Sequence, residues 1–177
     1  MHTHLGPVVG ALAALAWTGV AAQQSACSLL TAADIEAATG EKPGEPHETN
    51  MGMSDSSGKG QVTLACMWRA AAQGMVTVSL APAAKGAARE AGLAKLTQVF
   101  DELKAQHWTE ERKDIANGFC AIMTPPPSQK DVPIMSSCMA EAKGMAMSVG
   151  YMSPTKKLSF DQTKSLMDKA IGRVAGK

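Results

Sequence analysis

Aromatic side chains are nearly missing from this sequence: three Phe, three Trp and one Tyr among 177 residues. A core made without them relies on aliphatic and thioether groups and gains from covalent cross-links. A surplus of one charge is missing too, with 17 Lys and Arg against 16 Asp and Glu. That balance excludes a nucleic-acid binder, which needs a clustered basic surface to displace counterions. No run of like charge marks a polybasic membrane contact. No apolar stretch reaches the roughly 20 residues of a membrane span. No Cys-x-x-Cys occurs, so a thioredoxin-type redox site and a Cys-rich zinc site are both disfavoured.

Catalytic signatures are absent as well. No Gly-x-Ser-x-Gly, His-Glu-x-x-His or phosphate-loop pattern is found. Beyond the first residues only His47 and His107 remain as imidazole bases. A Ser-His-Asp or Cys-His mechanism needs one of them beside a nucleophile and an orienting acid. His47 lies in a polar stretch and His107 at a helix end beside Trp108, a residue suited to a groove rim. Glu110, Glu111 and Asp114 are acidic but nothing pairs them. No catalytic residue is assigned, and the chain reads as a non-enzymatic protein.

Residues 1–22 contain no Asp, Glu, Lys or Arg. Val8 to Ala16 is an apolar run of signal-peptide length, followed by small residues, with Val20 and Ala22 at the −3 and −1 positions of a cut before Gln23. The expected organisation is a signal peptide over 1–22 and a single α+β domain over 23–177. The residues before Cys27, Gln24-Ser25-Ala26, put a polar amide where a lipobox carries an aliphatic side chain. The expected product is therefore cleaved and soluble, without a membrane span, in the periplasm or secreted.

Four cysteines remain, Cys27, Cys66, Cys120 and Cys138. An even count in an exported chain reads as two disulfides, with three pairings open. Cys27–Cys66 with Cys120–Cys138 is favoured, because each pair then stays within one half of the chain. Loops of these lengths contribute roughly 3–4 kcal/mol each on the chain-entropy model.

Thr31, with Asp34 three residues on and Leu30 and Ile35 as staple, opens a short helix that Gly40 ends. Residues 41–61 are rich in Gly, Pro and Ser and read as a flexible loop. Val62 to Arg69 and Val76 to Leu80 alternate as a hairpin, with Val62, Leu64, Cys66 and Trp68 on one face and Val76, Val78 and Leu80 on the next. Ala84 to about His107 is an amphipathic helix with Leu96, Val99, Phe100 and Leu103 as its apolar stripe. Strands follow at Gly118–Met123, Ile134–Ala142 and Met145–Tyr151. Ser159 and Gln162 then cap a last helix whose buried face is Phe160, Thr163, Leu166, Met167, Ala170, Ile171 and Val174. The order α-ββ-α-βββ-α predicts an antiparallel sheet with helices packed on one face. The two halves are parallel in pattern only.

The segment Ala26-Cys27-Ser28-Leu29-Leu30-Thr31, leading into a short helix closed by Gly40, resembles the opening of many small exported bacterial proteins and lipoproteins. A second cysteine beside an aromatic follows in a strand, here Cys66-Met67-Trp68. Some of those proteins are similar to extracellular sensor domains. The resemblance implies a disulfide-linked α+β domain used for binding or sensing, and it carries over no catalytic residue. The lipobox of many of them is not present here.

Methionine is the compositional excess, with 12 residues. Thioethers are soft ligands that suit Cu(I). His47, Met51 and Met53 place an imidazole and two thioethers within seven residues, in a polar stretch with no core for Met to fill. Met135, Met139, Met145, Met147 and Met152 cluster in the later strands, where Met fills gaps in a sheet core. The expected function is a domain that binds a small ligand or a periplasmic protein, on the sheet face or the 41–61 stretch. It needs no cofactor; the alternative is a copper-binding protein using His47, Met51 and Met53. Protein isolated from its native host is expected to begin at Gln23 and to carry no alkylatable thiol. Intact-mass analysis showing Met1 and four free thiols contradicts export.

Overall fold

The computed structural model describes residues 24–53, 61–70 and 74–174. The expected signal segment and its cleavage point lie outside them. A 3-10 turn, Ala26–Leu29, leads into α1, Ala32–Thr39. Three strands follow, β1 (His47–Met53), β2 (Gln61–Arg69) and β3 (Met75–Pro82), then α2 (Ala87–Ala105). Four more strands, β4 (Thr109–Ile115), β5 (Gly118–Thr124), β6 (Ile134–Ala142) and β7 (Met145–Ser153), precede α3 (Phe160–Arg173). All seven strands make one antiparallel sheet in the order β1-β2-β3-β7-β6-β5-β4. Two meanders thus meet edge to edge where β3 pairs with β7, from Met75↔Met152 to Pro82↔Met145.

Both disulfides form, Cys27–Cys66 and Cys120–Cys138. The second joins residues directly opposite each other in the β5–β6 ladder. The mixed α+β class, with an antiparallel sheet and two disulfides, is as the sequence predicts, but two strands escape prediction. His47–Met53, expected within a flexible loop, is an edge strand whose backbone pairs with β2 from His47↔Met67 to Met53↔Gln61. Its anchor is the Glu48 carboxylate, which accepts the Ser25 hydroxyl and the Ala26 N–H, both at 2.8 Å. Thr109–Ile115 is the opposite edge and is charged along its length. Edge strands need no apolar alternation, because the neighbour's backbone holds them.

Period-2 alternation divides the sheet into two faces. Val76, Val78 and Leu80 of β3 and Met147, Val149 and Tyr151 of β7 are buried on one. That face is covered by the 3-10 turn, α1 and α3, whose Leu29, Ile35, Leu166 and Met167 belong to the same core cluster. The expected caps are all present. Thr31 Oγ1 accepts from Asp34 N–H at 3.2 Å and Ser159 Oγ from Gln162 N–H at 3.2 Å. Gly40 closes α1 at φ 70°.

α2 departs from the predicted arrangement. Its Phe100 meets Phe119 edge-on, with ring centroids 6.2 Å apart, and its Arg89 reaches Glu141 at 3.0 Å. Phe119 neighbours Cys120, and Glu141 neighbours Ala140, whose side chains face the core; alternation places Phe119 and Glu141 on the other face. Three helical segments therefore share one face, and α2 lies across the opposite one. No residue of α2 is fully buried: Leu96, Phe100 and Leu103 of its apolar stripe are half-buried, and Val99, expected in the same stripe, is 42 % exposed. The parallel between halves is accordingly not a structural repeat, since α2 and α3 take opposite faces.

One ion cluster fastens the core-side helices. Asp34 of α1, 7 % exposed, accepts from Arg173 Nη1 at 2.5 Å and meets Lys169 Nζ at 3.1 Å, both on α3. Burial by itself would raise the carboxyl pKa; the hydrogen bonds from Arg173, Thr31 and Lys169 outweigh it and hold it well below the usual range. A lowered folded-state pKa contributes stability above the ordinary carboxyl value and loses it as pH falls through the folded one. Asp34→Asn is expected to cost about 2 kcal/mol at pH 7, since charged hydrogen bonds are lost with partners free to resolvate. The deficit, read by thermal denaturation, shrinks below about pH 4. A deficit of equal size at pH 7 and pH 2 contradicts an ionised Asp34.

Candidate functional site

The face under α2 carries a different chemistry from the core. Its central rows are short or polar: Thr77 beside Gly150, and Ser79 beside Ser148, whose hydroxyls hydrogen-bond at 2.7 Å. A helix laid over such residues stands off the sheet. Between them lies a cleft of 460 Å³. Leu93 and Leu96 of α2 line it from above, and Ala81, Ala146, Met139 and Phe119 from the sheet. Leu93 is 47 % exposed and, with Val99, is one of the two exposed large hydrophobic residues among those described.

Local sequence explains why α2 is held at its ends rather than packed along its length. Gly86 precedes it at φ 53° with no side-chain cap, so its start has little local support. Its far end is tied to β4 by Lys104 and Glu110 at 2.8 Å, a contact that raises the Lys104 pKa above its ordinary value. His107 then takes a left-handed turn, φ 65°, and Trp108 N–H returns to the Leu103 carbonyl at 3.0 Å.

Two guanidiniums sit at the rim. Arg112 lies over the Phe119 ring at 3.9 Å and 3.5 Å from Asp114. Arg89 pairs with Glu141. Each of these four side chains is substantially exposed. Exposed pairs of this kind contribute about 0–1 kcal/mol, so an incoming anion can take the place of either carboxylate. The cleft combines an apolar interior with two cations at its edge, the usual composition of a small-molecule site.

The residues named from sequence fall elsewhere. His47 is exposed at the start of β1, and Met51 and Met53 follow it in the same strand. An extended strand advances about 3.3 Å per residue, which puts some 13 Å between the Cα atoms of His47 and Met51. The strand replaces the wrapping loop on which that grouping rested. His107 is exposed, and Trp108, expected at a groove rim, is buried with its indole N–H unpartnered among the described residues. No group of three His, Cys, Asp or Glu side chains is assembled among the described residues. Cys27, Cys66, Cys120 and Cys138 are all consumed in disulfides. Sequence reasoning missed the cleft because its walls come from α2 and from strands far apart in the chain. The one available signal was the pair of leucines at 93 and 96.

No protein-family model, curated protein or solved structure matches the chain.

Proposed function

We propose that this is an exported, non-enzymatic binding domain whose ligand lies between α2 and the open sheet face. The observation that carries the reading is a helix with no fully buried residue, only half-buried Leu96, Phe100 and Leu103, that holds Leu93 and Leu96 over a 460 Å³ cleft. A helix kept for stability alone puts its apolar stripe into the core, as α3 does with Leu166, Met167 and Ala170. The preferred ligand is a small amphipathic molecule. Its apolar body meets Leu93, Leu96 and Met139, and its anionic group meets Arg112 or Arg89. Export is supported by the two disulfides, which persist in oxidising compartments. No helix among the described residues is long and apolar enough to cross a membrane.

Anilinonaphthalene sulfonate, an apolar body with one anionic group, is a suitable probe. The full chain is expected to bind it with a fluorescence gain. Leu93→Glu/Leu96→Glu is expected to weaken binding about 10- to 100-fold, the equivalent of 1.4–2.8 kcal/mol of lost apolar contact and added repulsion. Val99→Glu, on an exposed position of the same helix, is expected to leave it within twofold. Equal binding by the parent and the double variant places the ligand elsewhere.

A further inference from the structure

The register of the sheet collects methionines that are far apart in the chain. Met75 of β3 lies opposite Met152 of β7, and Met152 lies opposite Met135 of β6. Met135 in turn lies opposite Met123 of β5. Four consecutive strands thus carry a thioether at the same transverse position. Alternation puts the whole row on the open face, since Val76, Tyr151 and Ser136, the adjacent residues, are buried on the core side. Residues directly opposite in an antiparallel pair have Cβ atoms about 4.5–5.5 Å apart. The row ends on Arg69 at one side and Glu110 at the other.

Burial accounts for Met123 but not for the other three members of the row. On the core side β3 and β7 use Val, Leu and Tyr beside Met147, while unbranched Met is no preferred strand residue. Met123 is buried at 3 % exposure, but Met75, Met135 and Met152 are only half-buried. Met75 and Met152 line a surface pocket of 380 Å³, whose wall includes the carboxylate-bearing Asp131. Three flexible thioethers at facing register positions, each only half-buried, are a soft donor set. Every thiol of the chain is in a disulfide, so no cysteine competes for a soft ion. The middle residue, Met152, needs only its two neighbours to lean toward it for three sulfurs to converge. The unbranched side chain, with three rotatable bonds, permits this.

We infer that Met75, Met135 and Met152 form a binding site for a soft monovalent metal ion, Cu(I) or Ag(I), on the open face of the sheet. The site is distinct from the cleft under α2 and does not depend on it. It also differs from the sequence-based trio, sharing no residue with His47, Met51 and Met53.

Ag(I) tests this without redox chemistry. The full chain, with both disulfides formed, is titrated with Ag(I) in chloride-free buffer and followed by the methionine methyl resonances. One equivalent is expected to shift the methyl signals of Met75, Met135 and Met152 together and leave those of Met51 and Met53 in place. Met75→Leu/Met135→Leu/Met152→Leu, which nearly conserves volume, is expected to lower Ag(I) affinity at least 100-fold with the fold unchanged by circular dichroism. Met51→Leu/Met53→Leu is expected to bind as the parent does. Unshifted methyl signals for the three, or shifts confined to Met51 and Met53, overturn the inference. Those signals come from the parent protein, so the outcome does not depend on the triple variant folding.

Discussion

Everything distinctive about this protein follows from the ladder between β3 and β7. The two meanders, β1–β3 and β4–β7, are separated in sequence by α2 and joined in space by this one antiparallel pairing. Because side chains alternate with a period of two, a slip by one residue would carry Val76, Val78 and Leu80 out of the core. The burial of those three against Met147, Val149 and Tyr151 pins the register on one face. The other face inherits that register without contributing much to it. The Ser79–Ser148 hydrogen bond, the floor of the cleft and the methionine row are all consequences.

The two faces differ in how firmly they are covered. On the core side, a disulfide ties the 3-10 turn to β2, and Asp34 clamps α1 to Arg173 and Lys169. Gln162 of α3 also donates to the Ala38 carbonyl at 2.9 Å, and Lys143 donates to the Val174 carbonyl at 2.6 Å. α2 has polar ties near its ends, Arg89 to Glu141 and Lys104 to Glu110, and an edge contact between two phenylalanines. Few buried apolar contacts mean a low free energy of local opening. On the function proposed above, a ligand beneath such a helix would leave the core undisturbed. The proposed function thus places recognition on the face opposite the one that carries the core.

Much of this frame was legible in the chain. Interior strands announce themselves by alternation, as in Met145 to Tyr151, and the helices by their caps, Thr31 with Asp34 and Ser159 with Gln162. Both disulfides followed from keeping each pair within its own half. The edges were not legible, because neither His47–Met53 nor Thr109–Ile115 alternates between apolar and polar residues, and both owe their extension to a neighbour's backbone. The position of α2 was misread for a related reason. Its period is helical, but periodicity cannot say which face of the sheet the stripe will meet, and the open face leaves Leu93 and Val99 exposed. The methionine row was invisible because Met75 and Met152 become neighbours only when β3 meets β7. Composition showed the excess of methionine; only register shows its alignment.

The β3–β7 register is therefore the claim to test most directly. Ser79 and Ser148 are directly opposite on the open face, within the Cα separation a disulfide spans. In oxidised Ser79→Cys/Ser148→Cys protein, peptide mapping should find a third cystine linking the β3 and β7 segments, with the two native bonds intact. Free thiols at both positions, or preferential closure of the offset pair Ser79→Cys/Gly150→Cys, would show that the halves do not meet in this register.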